Sequence, residues 1–175
     1  MKIHKEMNLR ELALVVSTAL LRAGIDCVLT GGAVVSIYTD NRYQSYDLDF
    51  ISHADQGRIG EALKTIGFYA TGRHFSHPDT DFYVEFPPPP LAIGNEPVAN
   101  LSEISEGDQK LKLLTPTQCV MDRLASFYFW NDRQALEQAL LVARHHQIEM
   151  EKVQEWSTQE GMSGRFQQFL SQLTD

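Results

Sequence analysis

Cysteine is nearly missing from this chain, with Cys27 and Cys119 the only two in 175 residues, both inside apolar runs. That argues against a disulfide framework or a cysteine-built metal centre, and the expectation is two buried, reduced thiols in a cytosolic protein. Long apolar runs are missing as well. No segment approaches the roughly 20 apolar residues of a membrane span. The charged start Met1-Lys2-Ile3-His4-Lys5-Glu6 has no apolar stretch behind it, so no secretory signal and a cytoplasmic location are expected. Basic excess is absent too: 15 Lys and Arg stand against 23 Asp and Glu, a net charge of −8. A surface that grips long nucleic acid usually shows the opposite balance. Arg42, Arg73, Lys110, Lys112 and Arg123 still leave room for a local basic cleft.

There are no internal repeats and no low-complexity tail, and the hydrophobic share of 43% is that of a globular core. Apolar positions Leu9, Leu12, Val15, Val16, Ala19 and Leu20 predict a helix over 8–23, stopped by Gly24. A buried strand Cys27-Val28-Leu29 then runs into Gly31-Gly32, and a second helix is expected from Ala33 to Tyr38. The spacing predicts a strand over 46–52, with Leu48 and Phe50 on one face and Asp47, Asp49 and Ile51 on the other. A helix over 54–66 follows, then a loop over 71–79 and a strand over 81–86. Pro87–Pro90 end that strand, since four prolines can donate nothing to a ladder, and read as a short polyproline spacer. Strands are expected over 98–104 and 110–114. From Thr115-Pro116, an N-cap with proline at the first helical position, helices are expected over 116–130, 132–146, 149–160 and 162–173. The fold class expected is α/β (α+β): a mixed-sheet domain over 1–114 followed by a C-terminal helical bundle over 115–175.

The chemistry concentrates in Leu29-Thr30-Gly31-Gly32-Ala33 and Arg42-Tyr43-Gln44-Ser45-Tyr46-Asp47-Leu48-Asp49-Phe50. Paired glycines at a strand-to-helix turn let backbone amides approach phosphates, at a helix end whose dipole favours anions. Two aspartates at i and i+2 on a strand point the same way and can share a divalent cation. Together they describe a site for a metal-bound nucleoside triphosphate, with Mg2+ or Mn2+ as the cofactor. A third carboxylate is expected from a neighbouring strand, with Glu85 chosen and Asp81, of the same parity, as the fallback. It would complete the metal's ligands and take the proton of an incoming hydroxyl.

This arrangement resembles the nucleotidyltransferase superfamily related to DNA polymerase β. There an apolar strand, Gly-Gly or Gly-Ser, about a dozen residues and an Asp-h-Asp-h strand (h, hydrophobic) precede an acidic residue on a later strand. The wording Arg42-x-x-Ser45-x-Asp47-x-Asp49 is closer to small bacterial members of the minimal-nucleotidyltransferase and abortive-infection, toxin–antitoxin type. The resemblance, over about residues 25–145, implies transfer of a nucleotide to a hydroxyl on RNA (including tRNA), protein or a small molecule. It implies catalytic and metal-binding roles for Asp47, Asp49 and Glu85, and triphosphate binding by Gly31, Gly32, Arg42 and Ser45. The alternative it carries is an inactive protein of the same fold serving as a binding module or toxin–antitoxin partner. This chain lacks a serine after its glycine pair. It has Arg123 where related proteins often have lysine, to meet a triphosphate or to pair with Asp122 or Asp132.

Other features have quieter readings. His74 and His77 lack the cysteines and third histidine of a zinc site, and fit an acceptor-side loop better. His145-His146 is expected to cap a helix end. Phe127–Trp130 is expected to be core, with Tyr128 or Trp130 the residue to stack on a base.

Overall fold

The computed structural model describes residues 2–174. In chain order the elements are α1 (Leu9–Arg22), β1 (Val28–Thr30), α2 (Gly31–Tyr38), β2 (Asp47–Ile51), α3 (Gln56–Lys64), β3 (Tyr69–Thr71), β4 (His74–Ser76) and β5 (Tyr83–Glu85). There follow β6 (Ala92–Ile93), β7 (Glu96–Pro97), β8 (Ser102–Glu106), β9 (Gln109–Leu113), α4 (Pro116–Trp130), α5 (Arg133–His145), α6 (Met150–Gln159) and α7 (Ser163–Thr174). Seven strands form one mixed sheet in the order β3-β4-β5-β2-β1-β9-β8, while β6 and β7 form a separate small hairpin. β2 runs antiparallel to β1 and parallel to β5, and β1 runs parallel to β9.

Local chemistry sets the helix starts. Asn8 and Glu11 make a reciprocal capping box at α1, and Thr115 with Gln118 does the same at α4, ahead of Pro116. Period-two alternation then decides the faces. Leu48, Phe50, Val84, Phe75, Leu29 and Leu113 are buried on one side of the sheet, in one apolar cluster with Leu12, Leu63, Leu124 and Trp156. Each such side chain stabilises the fold by about 2 kcal/mol. The opposite face carries Asp47, Asp49 and Glu85, all partly exposed.

Four expectations need correction. The stretch 71–79 is not a loop: Gly72, at φ +63°, turns the chain so that His74–Ser76 returns against Tyr69–Thr71 as a hairpin. The stretch 98–104 is strand only from Ser102, and the segment before it carries the β6–β7 hairpin. α2 starts at Gly31, two residues before the expected position. The 127–130 stretch divides: Phe127 and Tyr128 are buried, but Phe129 is 44% and Trp130 83% exposed, because α4 ends there. The Tyr128 ring stacks on Trp156 and its hydroxyl bonds Ser157, tying α4 to α6, so it is closed to any base.

Candidate active site

The strand register assembles the acidic cluster. Thr30 lies opposite Asp49 on β2, Asp49 opposite Glu85 on β5, and Glu85 opposite His74 on β4. Asp47, two residues before Asp49, shares its face and pairs with Tyr83. Asp81 precedes β5, is exposed and has no register partner, so Glu85 is the carboxylate set beside Asp49.

The glycine pair meets this cluster from β1. Gly31 has φ +71°, and a Cβ there would stand 2.8 Å from Asp49 Oδ2. Only glycine permits both the left-handed backbone and that approach. A Cβ on Gly32 would lie 3.2 Å from Ser45 Oγ and 3.3 Å from Tyr43 Cε1. At the start of α2, Thr30 occupies the cap position but makes no side-chain cap bond; its hydroxyl donates instead to the Asp49 carbonyl. No side chain of Thr30 therefore covers the first-turn amides, which a helix leaves without internal partners.

Ser45 is 2% exposed and donates to Asp47 Oδ1 at 2.6 Å, while its amide donates to Ser36 Oγ, which in turn donates to the Gly32 carbonyl. Its hydroxyl is thus committed to orienting Asp47. Arg42 is exposed and contacts the His145 ring at the end of α5, rather than any of the carboxylates. Of the expected residues, the structure brings together Gly31, Gly32, Ser45, Asp47, Asp49 and Glu85, and leaves Arg42 outside.

Arg123 pairs with Asp122 at 2.7 Å. It also lines, with Gly31, Asp49, Pro87, Ile93 and Asp122, a cleft of about 230 Å³. A larger cleft of about 460 Å³ lies at the far end of β1 and β2 among Asp26, His53 and Leu101, and none of the three site carboxylates lines it. Burial pushes the Asp49 carboxyl up from 3.8 to about 7, helped by the charges of Asp47 and Glu85 and opposed by Arg123. Burial and then Asp47, Glu85 and Asp49 also raise Tyr83.

His74 is on the face of the carboxylates, its ring 4.9 Å from that of Tyr83. His77 is not: it is buried against Phe68 and accepts from the Asp79 amide, so its expected place in an acceptor loop is corrected to a structural one. His145 ends α5 and His146 caps it, its ring on the Tyr38 carbonyl. Sequence reasoning missed Tyr43 and Tyr83 at the site. Tyr83 could have been found from the parity it shares with Glu85; nothing local marks Tyr43.

No family model and no curated protein matches the sequence. Solved structures match its fold. An antigenic nucleotidyltransferase-like protein from Paracoccidioides brasiliensis is 16% identical with a TM-score of 0.58, over 81% of this chain and 78% of that one. The antibiotic-resistance factor ANT(2'')-Ia in solution is 12% identical with a TM-score of 0.52, over 96% and 97% of the two chains. ANT(2'')-Ia in complex with adenylyl-2''-tobramycin is also 12% identical, with a TM-score of 0.51 over 91% and 97%. The fold is therefore nucleotidyltransferase-like.

Proposed function

We propose that this protein transfers a nucleotide from a nucleoside triphosphate to a hydroxyl on another molecule and releases pyrophosphate. The observation that carries the proposal is the register that sets Glu85 beside Asp49 and Asp49 against Gly31. Asp47, Asp49 and Glu85 would hold Mg2+ or Mn2+. Their hard carboxylate oxygens suit these ions, and burial followed by the charges of Asp47 and Glu85 lifts Asp49 to about 7, a cost that a bound cation relieves. Among the described residues no group of three or more His, Cys, Asp or Glu side chains already stands in ion-holding geometry. Bound there, the ion would neutralise charge developing on the phosphates.

The chain's own groups supply the rest. The first-turn amides of α2 bind the phosphates that leave, and Arg123 offers fixed positive charge beside them. Glu85 accepts the proton of the acceptor hydroxyl as its oxygen bonds the α-phosphorus and the bond from that phosphorus to the bridging oxygen breaks. Ser45 holds Asp47 in place. The acceptor reaches Glu85 from the β4–β5 side, where His74 stands opposite Glu85 and its ring lies 4.9 Å from that of Tyr83. The purified protein should be mixed with Mg2+, each labelled triphosphate, and tRNA, protein or aminoglycoside acceptors. Pyrophosphate release or label transfer is expected, and is lost in Glu85→Gln. No release with any combination defeats the proposal.

A further inference from the structure

Tyr43 lies in the polar loop between α2 and β2, half-buried, with its ring packed at the edge of the apolar cluster. Its ring covers the side-chain space of residue 32: a Cβ on Gly32 would stand 3.3 Å from Tyr43 Cε1 and 3.5 Å from its hydroxyl oxygen. On Gly31 the corresponding space is filled by the Asp49 carboxylate. The two glycines thus present uncapped amides between a carboxylate on one flank and a phenol on the other. A phosphate seated on those amides meets both.

Arg123 and Gln138 lie behind the phenol and act on its ionisation against burial. Arg123 donates to the carbonyl oxygen of Gln138, a buried side chain on α5. As a phenol, Tyr43 carries one O–H that can donate to a ligand. Burial first, then Asp47, raise the Tyr43 pKa, so the group keeps that proton at neutral pH.

We infer that Tyr43 is a phosphate-binding residue of this site: its hydroxyl replaces, at the mouth of α2, the hydroxyl that residue 32 lacks, and donates to a terminal phosphate of the triphosphate. This rests on the proposed function, because it presumes that a triphosphate occupies the α2 mouth. A side chain on residue 32 would press on Ser45 Oγ at 3.2 Å and on the phenol ring at 3.3 Å.

The test is calorimetric binding of the α,β-methylene analogues of ATP, GTP, CTP and UTP with Mg2+, and of the matching monophosphates. Wild type, Tyr43→Phe, Tyr43→Ala and the double variant Gly32→Ser/Tyr43→Ala are compared. Tyr43→Phe should bind the triphosphate analogue about tenfold more weakly, the loss expected of one hydrogen bond to a charged group. Its melting temperature and monophosphate affinity should be unchanged. The double variant, with a serine in the vacated space, should regain most of the affinity that Tyr43→Ala loses. Equal triphosphate affinity in Tyr43→Phe and wild type overturns the inference and reduces Tyr43 to packing; so does an equal loss for both ligands. A wild type that binds none of the analogues overturns the underlying reading as well.

Discussion

Replacing Asp49 by Asn should stabilise the metal-free protein at neutral and alkaline pH and leave it unchanged in acid. Burial, followed by Asp47 and Glu85, lifts the Asp49 carboxyl from 3.8 to about 7. Between those values the folded protein binds a proton that the unfolded chain has released. The stability tied to that proton is full below about pH 4, is lost as pH rises through about 7, and stays lost above it. The separation corresponds to on the order of 4 kcal/mol. Solvent at the cleft mouth and sharing among three carboxylates leave about 2 kcal/mol to be measured. In a domain of this size that is ~4–8 °C in melting temperature. Asparagine keeps the shape and removes the ionisation. Thermal denaturation followed by circular dichroism in excess chelator should therefore show no difference at pH 3 and that gain at pH 8. Adding Mg2+ at pH 8 should raise wild type and not the variant. Equal melting at pH 8, or an equal gain at both pH values, refutes the electrostatic reasoning.

Gly31→Ala combines a left-handed backbone with a Cβ 2.8 Å from Asp49 Oδ2; a urea denaturation should record a loss of about 2 kcal/mol, and an unchanged midpoint would contradict the close approach. Ser45→Ala removes the donor that fixes Asp47. A fall of about tenfold in Mg2+-dependent triphosphate affinity is expected with only about 1 kcal/mol of stability lost, and intact affinity would detach Ser45 from the site. Burial pushes the Cys27 thiol up to about 12 and Cys119 higher still. Neither should react with a thiol reagent at pH 8 until denaturant is added; fast labelling of the native protein would contradict their burial.

The acidic cluster was legible in the sequence because parity on a strand is a local property: Asp47 and Asp49 share a face by spacing, and Glu85 by the alternation Val84-Glu85-Phe86. Which strands lie side by side is non-local, and only the register placed Glu85 rather than Asp81 next to Asp49. The glycine turn was equally local, although α2 begins on the glycines themselves. The β3–β4 hairpin was missed since Gly72-Arg73 separates two strands of three residues, too short for alternation to register. Arg42 was drawn toward the triphosphate by its proximity in sequence to Ser45, yet the turn after α2 aims it at His145. Tyr43, one residue on, turns inward to Gly32. Tertiary packing made both choices. Trp130 is exposed because Asn131, in a left-handed conformation, ends α4 before the ring can be covered.

Mn2+ binding followed by electron paramagnetic resonance, with and without a non-hydrolysable triphosphate, tests most directly whether three strand-borne carboxylates grip one ion. Asp47→Asn, Asp49→Asn and Glu85→Gln should each weaken the bound signal relative to wild type, while Asp81→Asn leaves it unchanged. Undiminished binding in Glu85→Gln together with a loss in Asp81→Asn would contradict the account.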